Sequence, residues 1–221
     1  MQHFKYLLLW LLLMATATIS ARSIPTINAE RAHEEARQQV VWRDRVCPLA
    51  TLANDFLESI YGKTSYKGLS SVQVLYGWLL RPDVWKDEPM ILVSDPNLRK
   101  QLGIEGEYAK FSELFDDTLG YRLNSLGADL PEKMRQMVRE SAPAVELDEK
   151  VGMIILLTQG KLITPRPETM EPLSPWRVEA EILYNDVPFY MILLFIGLFV
   201  LIILICRFFR KRGVMGRKSI W

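Results

Sequence analysis

Nineteen consecutive residues near the carboxyl end, Pro188 to Cys206, carry no charge, and Arg207-Phe-Phe-Arg-Lys-Arg212 follows directly. At about 1.5 Å of rise per residue, a helix of that length extends roughly 28 Å, close to the hydrocarbon thickness of a bilayer. Residues 207–221 hold six Lys/Arg and no Asp/Glu, a bias that keeps a chain end in the cytoplasm. The pattern predicts one C-terminal transmembrane helix over 187–206 and a basic cytoplasmic tail over 207–221. The bulk of the chain is then expected in the periplasm, on the far side of a single pass through the inner (cytoplasmic) membrane.

The amino end agrees with export. Lys5 precedes the apolar run Tyr6 to Met14, and small residues lead to Ala17 and Ala21. This is the layout of a secretory signal peptide over 1–21, cut after Ala21 or after Ala17, with an uncleaved anchor as the alternative. Residues 22–186 contain all twenty-six Asp/Glu but only twenty of the twenty-seven Lys/Arg, so a net +1 conceals a domain near −6 and a tail of +6. An acidic domain is a poor match for nucleic acid, which rewards clustered positive charge. The basic tail is suited to setting topology and touching anionic lipid. The two cysteines, Cys47 and Cys206, fall on opposite sides of the expected bilayer and cannot pair, so stability must come from apolar burial.

Periodicity predicts a mainly α fold: a single extracytoplasmic helical domain over 22–164. Glu30 to Gln39 permits a helix but has almost no apolar face, which places it at the surface. Cys47-Pro48 opens an amphipathic helix through Leu49, Leu52, Phe56, Leu57 and Ile60, stopped by Gly62. Ser70-Ser71 caps a second helix over Val72–Leu80, ended by Pro82. Pro89–Val93 is the best strand candidate. Ser94-Asp95-Pro96 starts a short helix that Gly103 closes. Helices are also expected over Phe111–Leu123, from Leu130 to about Glu140, and over Val145–Leu157. Four prolines between Pro165 and Pro175 then mark an extended spacer over 165–186, which includes a juxtamembrane helix, Trp176–Asn185.

Several blocks carry a resemblance. They are Arg45-Val-Cys-Pro-Leu-Ala-Thr-Leu-Ala53, the turn Tyr61-Gly-Lys-Thr-Ser-Tyr-Lys-Gly68, the run Val72 to Met90, and Ala180-Glu-Ile-Leu-Tyr-Asn185. In this order, from about residue 40 to 186, the chain resembles the extracytoplasmic portion of system II cytochrome c biogenesis proteins. These are the Ccs, or ResB/CcsA-type, haem-delivery synthetases of Bacteroides-like bacteria. The resemblance implies an accessory subunit of cytochrome c maturation, beside a separate multi-helix haem-handling membrane protein and apocytochrome c. The family's tryptophan-rich loop and haem-holding histidines are absent from this sequence, which has only His3 and His33. Haem is therefore expected to reach this chain only through a partner.

The single residues are weighed on their own chemistry. Cys47 is an exported thiol without a Cys-x-x-Cys partner; it is either a small apolar residue at a helix start or a thiol that meets apocytochrome. His33 lies in a charged segment without a second histidine, so it is a solvated side chain or an iron ligand completed by another chain. Trp85, after Pro82-Asp83, is a core residue or a haem-facing aromatic. Adjacent carboxylates such as Asp148/Glu149 point to different sides of a helix and make poor acid–base pairs. No phosphate loop, metal-spaced cluster or nucleophile elbow occurs in the sequence. The expectation is a non-enzyme that works by docking and positioning. The alternative is a membrane-tethered interaction or scaffold module unrelated to haem.

Overall fold

The computed structural model describes residues 24–116, 120–128, 130–187 and 189–215. The expected signal peptide over 1–21 lies outside the described residues. The chain divides into two compact units. One comprises the chain up to Asn28 together with Gln73–Gly160; the other comprises Ala29–Val72 and the chain from Lys161 onward.

The second unit is built on an antiparallel hairpin. Strand Gln39–Trp42 pairs with Arg45–Pro48 on one side and with Thr164–Pro165 on the other, placing Val40 opposite both Cys47 and Pro165. Arg43 and Asp44 make the two-residue turn, both at positive φ (48° and 60°). Two such residues match the right-handed twist of the flanking strands. Arg43 is an unusual choice there; it is steadied by an ion pair to Asp55 at 3.4 Å and by its guanidinium 5.8 Å from the Trp42 ring. The hairpin feeds straight into the helix Leu49–Tyr61, which Gly62 ends at φ 78° with its N–H on the Glu58 carbonyl. That helix buries Leu49, Leu52, Phe56, Leu57 and Ile60 completely, the i, i+3, i+4 set its sequence announces.

The first unit is organised by two tryptophans. Helix Ser71–Leu80 carries Trp78, and the short helix Pro82–Trp85 turns back so that the two indole centroids lie 6.3 Å apart. Both are buried, and both N–H groups are satisfied: Trp78 Nε1 donates to Met90 Sδ at 3.1 Å and Trp85 Nε1 to the Pro25 carbonyl at 2.9 Å. Buried indoles need such partners. Strand Pro89–Leu92 pairs antiparallel with Tyr108–Lys110. Helix Ala142–Thr158 presents Lys150, 5 % exposed, whose Nζ donates to the Leu92 carbonyl at 2.7 Å and to Glu146 at 2.6 Å. The short helix Pro96–Leu102 is capped as expected: Asp95 accepts from Leu98 N at 2.6 Å, and Gly103 stands at φ 67°.

Three expectations are corrected. First, the expected helical domain is not helices alone: more than half of the described residues are helical, and the helices alternate with four small antiparallel sheets. Second, Phe111–Leu123 is not one helix. Ser112–Leu114 is a single 3-10 turn, Phe115–Asp116 pairs with Gly120–Tyr121, and Arg122–Ser125 is another 3-10 turn. Gly120 at φ 70° breaks the helical path, and Phe111, Phe115 and Tyr121 stack in succession at 4.8 and 5.1 Å instead of spiralling round one face. Third, the transmembrane helix over 187–206, and with it the placement as a single-pass inner-membrane protein, is overturned. Among the described residues no helix is long and apolar enough to cross a membrane. A helix does occupy Phe189–Met215.

The closeness of Gly77 to Trp85 gives a direct test of the first unit. A Cβ built on Gly77 would stand 2.3 Å from the Trp85 ring, and a rigid indole cannot yield as a flexible chain end would. Gly77→Ala gains about 1 kcal/mol in helix propensity. Against this, overpacking costs about 3 kcal/mol. A net loss of about 2 kcal/mol in urea denaturation, with a shifted tryptophan emission, is the expected result.

Candidate functional site

The first and the last of the sequence blocks that carry the resemblance meet at one carboxylate. Helix Pro175–Asp186 packs on the Arg45–Pro48 strand and on helix Leu49–Tyr61. Its spacing turns Val178, Glu181, Ile182 and Asn185 inward. Arg45 grips Glu181 with both nitrogens of its fork, at 2.8 and 3.2 Å. Thr51 donates its hydroxyl to the same carboxylate at 2.7 Å, and Asn185 donates to Thr51 Oγ1 at 3.0 Å. Two further straps lie alongside. Arg37 holds Glu179 at 2.6 and 3.2 Å, and the Gln39 side chain exchanges two hydrogen bonds with the Leu173 backbone at 3.0 and 2.8 Å. Desolvation pushes the Glu181 carboxyl up, but the bonds from Arg45 and Thr51 and the Arg45 charge outweigh it and hold it below the ordinary glutamate range. Arg45 is raised in turn, first by its bond to Glu181.

Cys47 lies beside this cluster, one strand position from Val46 and facing the core with no exposed surface. Burial pushes its thiol up to about 11, against the downward pull of the Arg45 guanidinium. Roughly one thiol in ten thousand is then ionised at pH 7. His33 stands exposed on helix Ala29–Glu35, with Nε2 2.9 Å from Arg37 Nη2. A guanidinium can only donate, so this nitrogen's lone pair is engaged and not offered to iron. Trp85 is fully buried in the other unit, with its N–H engaged. Cys206 is exposed. Among the described residues no group of three His, Cys, Asp or Glu could hold a metal ion.

The first unit contains a cleft that the sequence did not signal. A space of about 520 Å³ opens between helix Pro96–Leu102 and helix Glu132–Arg139, floored by Leu102, Arg122 and Leu126. A second space of about 320 Å³ shares Gln101 and Val138 with it. Helix Glu132–Arg139 buries none of its own side chains and exposes Met134 and Met137. Its arginines tie down the neighbouring loops through main-chain oxygens: Arg135 on Ala128 and Leu130, and Arg139 on Asn124.

The arrangement offers a clasped C-terminal helix in one unit and an open cleft in the other. No family model matches the chain. A stretch of 136 residues, 60 % of this chain, is 29 % identical to Protein NrfI of Wolinella succinogenes. That stretch covers 15 % of NrfI, so the likeness is to a small part of a much longer protein.

Two outcomes are expected at this site. Cys47 should resist maleimide or disulfide reagents in the folded chain at pH 7 and react promptly in denaturant; rapid labelling of native protein would contradict the buried geometry. For Glu181, whose folded pKa is depressed, the stabilisation is present above the unfolded value of about 4.3 and is lost as pH falls through the folded value. Glu181→Gln should lower stability at pH 7 by about 1 kcal/mol, discounted for the half-exposed Arg45, and should flatten the acid limb of the stability curve. Denaturation at low and high salt checks this, the difference from wild type shrinking as salt rises.

Proposed function

We propose that the chain is an accessory protein of cytochrome c maturation, acting by docking and positioning beside a separate multi-helix haem-handling protein. In this reading it holds apocytochrome c where haem is attached, haem reaches it only through that partner, and it performs no covalent step itself. Fixing two large reactants in one geometry removes orientational freedom from the attachment step, which is a contribution to rate without bond chemistry.

Two likenesses support the reading: the ordered resemblance from residue 40 to 186, and the 29 % identity with NrfI over 136 residues. The observation that carries it is the Glu181 cluster. Arg45 and Thr51 come from the first resembling block and Glu181 and Asn185 from the last, some 130 positions apart, and they share one hydrogen-bonded network. The first and last resembling blocks are thus parts of one folded arrangement, not separate short matches. The buried, protonated Cys47 thiol favours positioning over thiol chemistry.

Deletion of the gene should remove covalent haem from the c-type cytochromes, seen as loss of haem-stained bands. The wild-type chain and Cys47→Ala should both restore them. Unaltered cytochromes in the deletion strain would reject the reading and leave a scaffold unrelated to haem. Restoration by wild type but not by a folded Cys47→Ala would reassign the role to the thiol.

A further inference from the structure

Helix Glu132–Arg139 sets Met134, Met137 and Val138 at i, i+3 and i+4, one apolar stripe among charged residues. Yet the helix buries none of its side chains: Met134 is 56 % and Met137 72 % exposed. A two-sided helix in a folded domain ordinarily covers its apolar stripe. Here the stripe borders open space. The two spaces of the first unit, about 520 and 320 Å³, meet at Gln101 and Val138. They form one groove between this helix and helix Pro96–Leu102.

The opposite wall carries a repeat. Asn97 and Gln101 stand four residues apart on one side of helix Pro96–Leu102, and both border the groove. Both are exposed, and neither carboxamide has a hydrogen-bond partner among the described residues. A carboxamide carries a donor and an acceptor side by side, the same pair that a peptide group offers. Four residues of helix rise about 6 Å, and two residues of an extended chain rise about 6.6 Å. The two carboxamides are therefore spaced to bond successive groups on one edge of an extended main chain. Alternate side chains of that chain then reach the apolar linings, Leu102 and Leu126 in the larger space and Leu98 and Met137 in the smaller. A lipid tail or a compact small molecule has no such repeat to match.

Charge narrows the occupant further. The two wall helices carry five Lys/Arg and one Glu, and Arg122 lines the larger space. Against them stand Asp116 and Asp95, the latter spent on the Leu98 N–H. Residues 22–186 as a whole are near −6, so the groove is a basic locality in an acidic domain. It attracts an acidic segment and repels a basic one.

We propose that this groove binds an extended, acidic segment of an unfolded polypeptide, gripped through its main chain by Asn97 and Gln101. The methionines of the facing helix adapt to whichever apolar side chains the segment brings. The inference deepens the positioning role above and rests on it for the client, a chain that has yet to fold.

The test is fluorescence anisotropy on the purified full chain, with a short fluorescein-labelled peptide in which Leu alternates with Ser and Glu. Saturable binding is expected. N97L/Q101M keeps the size of both exposed side chains and removes both carboxamides. It should leave circular dichroism unchanged and weaken binding about tenfold or more, the loss expected for several uncharged hydrogen bonds. N-methylation of alternate peptide amides should cost the wild type as much and cost the variant nothing further. Exchange of the peptide's Glu for Lys should weaken binding, the difference fading as salt rises. Absence of saturable binding, equal binding by N97L/Q101M, indifference to N-methylation, or tighter binding of the Lys peptide would each overturn the proposal. Full displacement of the peptide by sodium decanoate would overturn it too, and mark a site for small apolar carboxylates. Failure here is separable from failure of the cytochrome reading. Normal haem staining in the deletion strain with peptide binding intact rejects the function alone, whereas haem staining lost without peptide binding rejects the groove alone.

Discussion

A single carboxylate governs the C-terminal half of the second unit. Glu181 receives Arg45 from a strand and Thr51 from a helix, and its own helix brings Asn185 to close the ring. A desolvated carboxylate is costly unless its oxygens are filled, and a forked guanidinium with a hydroxyl fills them. Because Arg45 is half exposed, the gain in stability is modest. The larger consequence is geometric: the helix can seat in only one rotation, which closes the core over Cys47 and turns Trp176, Leu183 and Tyr184 outward. Specificity of docking, more than strength, is what such a cluster provides here.

The residues with the most conspicuous chemistry are each engaged in contacts of the fold. Trp85 fills the space above Gly77 and spends its N–H on Pro25. Cys47 is sealed between strand and helix with its thiol protonated. The His33 lone pair is engaged by Arg37, which also holds Glu179 and so belongs to the strapping of the C-terminal helix. What remains open to a partner is shape and apolar surface: the cleft beside helix Glu132–Arg139 in one unit and the outward stripe in the other.

The parts of the fold legible in the sequence are those governed by neighbours along the chain. Leu49–Tyr61 follows from its apolar spacing and Gly62, Pro96–Leu102 from Asp95, Pro96 and Gly103, and Pro89–Leu92 from a short apolar run between breakers. The hairpin Gln39–Pro48 was illegible because Arg43-Asp44 is not a usual turn pair; its positive φ values are tolerated through Asp55 and the Trp42 ring, contacts made only once the helix is in place. Phe111–Leu123 has a helical spacing of apolar residues, yet ring stacking and Gly120 resolve it into turns and a two-stranded ribbon. The uncharged run after Pro188 promised a membrane crossing that no helix among the described residues is long and apolar enough to make.

The amino-acid sequence by itself determined the caps, the breakers, the buried stripe of the Leu49–Tyr61 helix and the order of the blocks that resemble cytochrome c biogenesis proteins, because each depends on residues within about one or two helical turns of one another. Only the tertiary structure decided that Arg45, Thr51, Glu181 and Asn185 form one cluster, that the cleft exists, and that Cys47 and Trp85 are closed to solvent. Those outcomes depend on pairings across some 130 positions and on which side of a helix faces its neighbour. Local propensity carries no information about such pairings, since they are selected by packing and by the need to satisfy buried polar groups.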